Sequence, residues 1–184
     1  MADIIKDAEH KMKGAIDHAR EEFGAIRTGR AHPAMFNKLL VDYYGAPTPL
    51  QQLATFQVPE ARTVLITPFD RGAMHGIEKA IRDSDLGVNP ANDGNVIRLV
   101  MPQLSEERRR EYIKLARHKA EESKVAVRNI RRHANDAVHK LVKDKEVGED
   151  DARAAEKQLD AVTKKYVESV DELLKVKEAE LLEV

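Results

Sequence analysis

The stretch VRNIRRHAND, Val127 to Asp136, places Arg128, Arg131 and Arg132 within five residues. A guanidinium is permanently charged and presents a fixed fork of donors, which matches phosphate oxygens. Recognition of a polyanion is therefore the chemistry to expect, provided the charges are not neutralised by their neighbours. In a helix those neighbours are three and four residues away. For Arg128 they are Lys124, Val125, Arg131 and Arg132, and for Arg131 they are Val127, Arg128, Ala134 and Asn135. Like charges at that spacing cost a few tenths of a kcal/mol, so the cluster does not stabilise its own helix.

The cluster belongs to a longer row. At about 100° per residue, Arg110, Lys114, Arg117, Lys124, Arg128, Arg131 and Arg132 project within about 100° of arc, beside an apolar stripe. Arg110 and Arg117 have acids at pairing distance along the chain, Glu106, Glu107 and Glu121. The rest could instead be met by another helix, since residues 146 to 184 hold twelve acids against six bases. Aromatic residues make up 4% of the chain, so stacking on bases is not the expected mode, and contact by phosphate and shape fits better.

The elements that hold this row follow from the breakers. All seven prolines lie between Pro33 and Pro102, and residues 103–147 and 149–184 contain neither Pro nor Gly. Because Pro inside a helix costs about 3 kcal/mol, helical flanks are expected around a middle of strands and turns. The first flank, residues 3–28, carries Ile5, Ala8, Met12, Ala15, Ala19, Phe23 and Ile26 in a three-four rhythm. Ser105 is an N-cap with Glu106 and Glu107 after it, where the helix dipole favours acids. Ile113, Ala116, Ala120, Ser123, Val127, Ile130, Ala134, Ala137 and Leu141 continue the period, predicting one helix of about 40 residues and about 60 Å. Gly148 is expected to end it. A third helix then carries Ala155, Leu159, Val162, Tyr166, Val170, Leu173 and Leu181. None of the three can bury its stripe alone, so they form a bundle built from both ends of the chain.

In the middle, FNKLLVDYYG, LATFQVP, TVLITPF and NVIRLVMP read as strands, with turns at GAPTP, VPE and NPANDG, and RGAMHGIEKAIRDSD reads as a helix. Tyr43 and Tyr44, adjacent in a strand, should face opposite sides of the sheet. The fold class is α+β: a long three-helix bundle, residues 1–30 and 105–184, with a small β/α/β domain, residues 31–104, inserted. The paired connections, Arg30, Ala31, His32, Pro33 and Met101, Pro102, Gln103, Leu104, would act together as a hinge.

Several functions are excluded or disfavoured. The 31 Lys and Arg nearly cancel the 32 Asp and Glu, so a polyanion must be held by a local patch rather than by bulk charge. There is no cysteine, hence no disulfide or thiolate chemistry. No phosphate-cradling glycine motif and no GxSxG occurs, there are four serines, and no HxxxH or HExxH pair offers a metal site. His118, His133 and His139 read as helix-surface residues. An enzyme is not expected, nor a cofactor. No signal peptide is read at the N-terminus and no apolar run reaches the ~20 residues of a membrane span, so a cytoplasmic protein with no membrane partner is the expectation, and a monomer because the bundle consumes its own apolar stripes.

VRNIRRHAND together with IRTGRAHP, DYYGAPTPLQQLA, EKAIRDSDLGVNP and PQLSEERRR resembles the bacterial ribosome recycling factor family. These matches are spread over flanks and insertion alike. The resemblance implies a three-helix bundle and a smaller domain with an outline similar to a transfer RNA. It also implies binding to the post-termination ribosome through large-subunit ribosomal RNA, and subunit separation with elongation factor G, whose GTP hydrolysis supplies the work. By motif match Arg27, Arg30, Arg128 and Arg131 would be RNA contacts; the row itself adds Arg110, Lys114, Arg117 and Arg132. The rival of another class is a helical module that grips protein partners, its basic row neutralised by the third helix.

Overall fold

The structure, a computed structural model, describes residues 1–183. It divides into two compact units, one of Met1–Ile26 with Arg110–Ala179, the other of Arg27–Arg109 with the last residues from Glu180. These limits give residues 27–30, 105–109 and those from 180 to the inserted unit, where the sequence reading had assigned them to the bundle. Among the described residues no helix is long and apolar enough to cross a membrane.

The first unit is helical. Helix α1 spans Ala2–Gly24, α3 spans Glu106–Lys143 and α4 spans Glu149–Leu182; the short α2 lies in the other unit. At 38 residues α3 is about 57 Å long. Its N-terminus is capped by the Ser105 hydroxyl, which accepts from the Arg108 N–H at 3.2 Å. Its C-terminus differs from expectation. Lys145, at φ 60°, adopts the left-handed conformation, with Lys145 N–H bonded to Val142 O and Glu146 N–H to Leu141 O, so the last carbonyls are satisfied without glycine. Gly148 instead precedes α4, and its carbonyl accepts from Ala152 N–H.

The buried stripe of α3 is Ala116, Ala120, Ser123, Val127, Ala134 and Val138, mostly small residues that let neighbouring backbones approach. Ala8 of α1, Ala134 and Val138 of α3, and Ala152, Ala155 and Leu159 of α4 form one core, which ties all three helices together. The stripes differ from those predicted at single positions. Ile16 is buried rather than Ala15, Val138 rather than Ala137, and Thr163 rather than Val162. Thr163 is tolerated because its hydroxyl donates to Leu159 O at 2.6 Å.

The second unit contains β1 (Leu40–Tyr43), β2 (Ala46–Pro49), β3 (Ala54–Glu60), β4 (Thr63–Pro68), α2 (Met74–Arg82), β5 (Ala91–Asn92) and β6 (Ile97–Val100). Strands β1 and β2 make a two-stranded hairpin, and β3-β4-β6-β5 an antiparallel sheet. Its core comprises Phe36, Val41, Leu50, Val64, Ile66, Ile77, Ile81, Ile97 and Leu99, all fully buried. GAPTP, expected as a turn, supplies β2. Prolines are admitted there because a two-stranded ribbon leaves the strand's other edge without a ladder to break. The turn itself is Tyr44–Gly45, with φ of 51° and 82°, the two-residue geometry that suits the twist of a hairpin. Tyr44 therefore lies outside the strand. The two tyrosines do not diverge: Tyr43 and Tyr44 hydroxyls both donate to Asp70 Oδ2, at 2.8 and 3.3 Å. Gly76 marks the closest approach of α2 to β1, where a Cβ would sit 2.9 Å from the Asp42 carbonyl oxygen.

Candidate nucleic-acid interface

The row on α3 is not uniform once α4 lies beside it. Arg117 donates through Nε to Glu178 Oε1 at 2.7 Å, correcting the expectation that Glu121 would hold it. Glu121 is instead 3.5 Å from Lys124, whose ammonium also pairs with Asp171. Lys124 is the most enclosed cation of the row, with a side chain 15% exposed. The Asp171 carboxylate raises its pKa against the opposing effect of burial. Further on, His139 pairs with Glu156. On the other side of α3, Lys119 reaches Glu22 of α1 at 3.7 Å.

Arg131 is held more loosely. Its Nη1 lies 3.4 Å from Asp160 Oδ1, its side chain is 40% exposed, and its Nε is buried with no partner. One turn on, Asn135 Oδ1 is also buried and unpartnered. Arg128, Arg132 and Lys114 are exposed and make no ion pair or hydrogen bond among the described residues. Arg110 is exposed and engaged within the structure. The row thus contains two kinds of cation. Arg117 and Lys124 clasp α4 to α3, whereas Arg128, Arg132 and Lys114 have no partner among the described residues.

Arg27 and Arg30 belong to the other unit. Arg27 is half-buried, its Nε without a partner. Arg30 forms a two-point pair with Glu183, its Nη2 donating to Oε1 at 3.0 Å. Within this unit the expected hinge residues are anchored unequally. Ala31 and Met101 are buried, and their N–H groups donate to Ala61 O and Arg62 O, both at 2.7 Å. The two connections are therefore fastened to one β3–β4 turn and are not free linkers at those positions. Arg30, Gln103 and Leu104 line a cavity of about 70 Å³ with Arg62, Arg109 and Glu183.

No three of the described His, Asp or Glu side chains come together as a metal site. The sequence leaves pairing with the acids of a later helix open but does not name Glu178, Asp171 and Glu156 as the partners. The only available signal was the excess of acids after residue 146, because the pairing depends on the register of α4 against α3.

A long helical unit with an inserted α/β unit and a partly unpaired arginine row along α3 defines a two-unit helical protein with a basic face. The family model described as ribosome recycling factor matches residues 19–182. The chain is 71% identical to the ribosome-recycling factor of Cutibacterium acnes over 184 residues, covering 100% of both. It is 66% identical to that of Kineococcus radiotolerans over 182 residues, covering 99% of this chain and 98% of the relative. A solution structure of the ribosome recycling factor superposes with a TM-score of 0.78 at 40% identity, covering 100% of this chain and 97% of the other. A second match, with a TM-score of 0.69 and 40% identity, covers 99% and 98%. It is a Thermus thermophilus recycling factor, described with E. coli elongation factor G bound to the E. coli post-termination complex. The chain belongs to the ribosome recycling factor family.

Proposed function

We propose that this protein acts in the cytoplasm on the ribosome after termination and, with elongation factor G and the GTP hydrolysed by that partner, separates the subunits. The chain supplies no chemistry of its own; it supplies a long helical bundle and an anchor on it. The anchor is the α3 row against ribosomal RNA of the large subunit. The observation that carries this reading is that, among the described residues, Arg128, Arg132 and Lys114 have no partner, in a row whose Arg117 and Lys124 are clasped to α4. Arg131 joins them through the part of its guanidinium not committed to Asp160. Arg110 and Arg117 belong to the anchor's edge, and Arg27 and Arg30 to a second contact on the inserted unit. Arg30 must exchange Glu183 for phosphate to take part.

The two units are proposed to move as separate bodies when the GTPase acts, bending near residues 27–30 and 102–109. Ala31 and Met101 travel with the inserted unit because of their bonds to Ala61 and Arg62. Subunit separation followed by light scattering tests the function, with ribosomes stalled at a stop codon, elongation factor G and GTP. Separation that needs both proteins and is lost in the Arg128→Ala, Arg131→Ala double variant is the expected result. Separation that survives the double variant keeps the function and removes the arginines from the anchor. No separation by a folded wild type returns the chain to a module that grips protein partners.

A further inference from the structure

The clasp between α3 and α4 has a regular register. From Arg117 to Lys124 is seven residues along α3, and from Glu178 back to Asp171 is seven along α4. The same step predicts that Arg131 should face residue 164. Eight residues beyond each of those positions, His139 meets Glu156, so the register is kept throughout. Residue 164 is not an acid. It is Lys164, and where each flanking rung joins a basic side chain to an acid this one sets two cations opposite each other. The contacts show the consequence. Arg131 does not pair across but leans one turn toward Asp160, at 3.4 Å, leaving its Nε buried and unpartnered. Among the described residues Lys164 has only Glu168 of its own helix, at 4.0 Å, with side chains 79% and 65% exposed. Such a pair is too open to neutralise it.

We infer that Lys164 of α4 is part of the phosphate-binding site, forming with Arg128, Arg131 and Arg132 one cationic patch that spans two helices. This inference rests on the reading of the α3 row as an RNA anchor and extends that anchor to a residue on another helix. An acid at 164 would complete the rung and hold Arg131 against α4; lysine leaves that charge for an external partner. Two helices contributing to one patch also fix the spacing of its charges, because the bundle core holds the register where a single flexible side chain could not. Phosphate is favoured over an acidic protein surface as the partner because the patch is built mainly of guanidinium groups, whose fixed fork of donors matches phosphate oxygens.

The test is equilibrium binding to isolated large ribosomal subunits across a range of KCl, with Lys164→Gln, Lys164→Asp, the Arg128→Ala, Arg131→Ala double variant, and Lys13→Asp on α1 as a control. Loss of one phosphate contact lowers the slope of log K against log salt by about 0.7 to 0.9, which is about five- to eightfold in affinity at 0.1 M salt. Lys164→Gln should show that change and Lys13→Asp should not. Lys164→Asp should bind more weakly still while its thermal midpoint rises, since Arg131 gains a partner directly across in addition to the long contact with Asp160; a variant weakened by misfolding would move both downward. If Lys164→Gln keeps the wild-type affinity and slope while the arginine variant loses both, the inference is wrong and the anchor on α3 stands. If neither variant changes, the anchor fails as well. Weaker binding at an unchanged slope would assign Lys164 to a protein contact and overturn the phosphate assignment.

Discussion

Replacing Arg128 with alanine separates an anchor from a structural cation more sharply than any other single change in the row. Arg128 has no partner among the described residues, and its helical neighbours at three and four residues are Lys124, Arg131 and Arg132. Each like-charge neighbour costs about 0.2–0.5 kcal/mol when free. Lys124 and Arg131 are engaged by Asp171 and Asp160, which cancels much of their share and leaves Arg132 as the full contributor. Removing Arg128 should therefore stabilise the bundle by about 0.3–1 kcal/mol. For a chain of this size that is a rise of about 1–4 °C in thermal midpoint. Urea and thermal unfolding followed by helical circular dichroism would measure it. The gain should shrink in 0.5 M salt, where screening acts over only a few ångströms. Ribosome affinity should fall in the same variant. A loss of more than about 1 kcal/mol on substitution would refute the reasoning, because it would show that Arg128 is a structural residue whose partner the register argument overlooked.

Asp171→Ala should act in the opposite sense. It leaves the enclosed Lys124 ammonium with Glu121 alone, at 3.5 Å, and the bundle should lose about 1–2 kcal/mol in urea unfolding. Gly76→Ala sets a methyl 2.9 Å from the Asp42 carbonyl, a backbone atom that cannot swing away, so the inserted unit should lose about 1–3 kcal/mol, read from the unfolding of its sheet. The Asp70 carboxyl is held below its ordinary range by the Gly72 N–H and then by the Tyr43 hydroxyl. Its stabilising contribution is therefore present above the unfolded value of about 4 and is lost as pH falls through the lower folded value, a decline that Asp70→Asn should flatten. The same hydrogen bond raises the pKa of Tyr43, so its phenol should ionise above its ordinary value of about 10, visible in an ultraviolet titration. That contribution is present below about 10 and is lost as pH rises further.

What could be read from the chain without its structure was whatever depends on neighbours along it. The three-four spacing of apolar residues defined three helices, and the confinement of prolines to residues 33–102 defined an insertion, because both follow from the geometry of a single element. The isolation of Arg128 was legible for the same reason, since its nearest charges are set by helical periodicity. The family could be recognised from motifs spread over the chain.

Tertiary structure decided everything that depends on register between distant segments. Periodicity could not say that Arg117 would abandon Glu121 for Glu178, nor that Lys164 would stand where Arg131 needs an acid. Nor could it say that Ala31 and Met101 would be fastened to one turn, that Tyr44 would invert to share Asp70 with Tyr43, or that Glu183 would close on Arg30. Each is a contact between residues far apart in the chain. Which of several chemically equivalent partners is taken depends on how two surfaces are offset, and a shift of one helical turn exchanges one acid for another. The cationic row is thus a property of one helix, whereas the part of it left unpaired is set by how α4 is registered against α3.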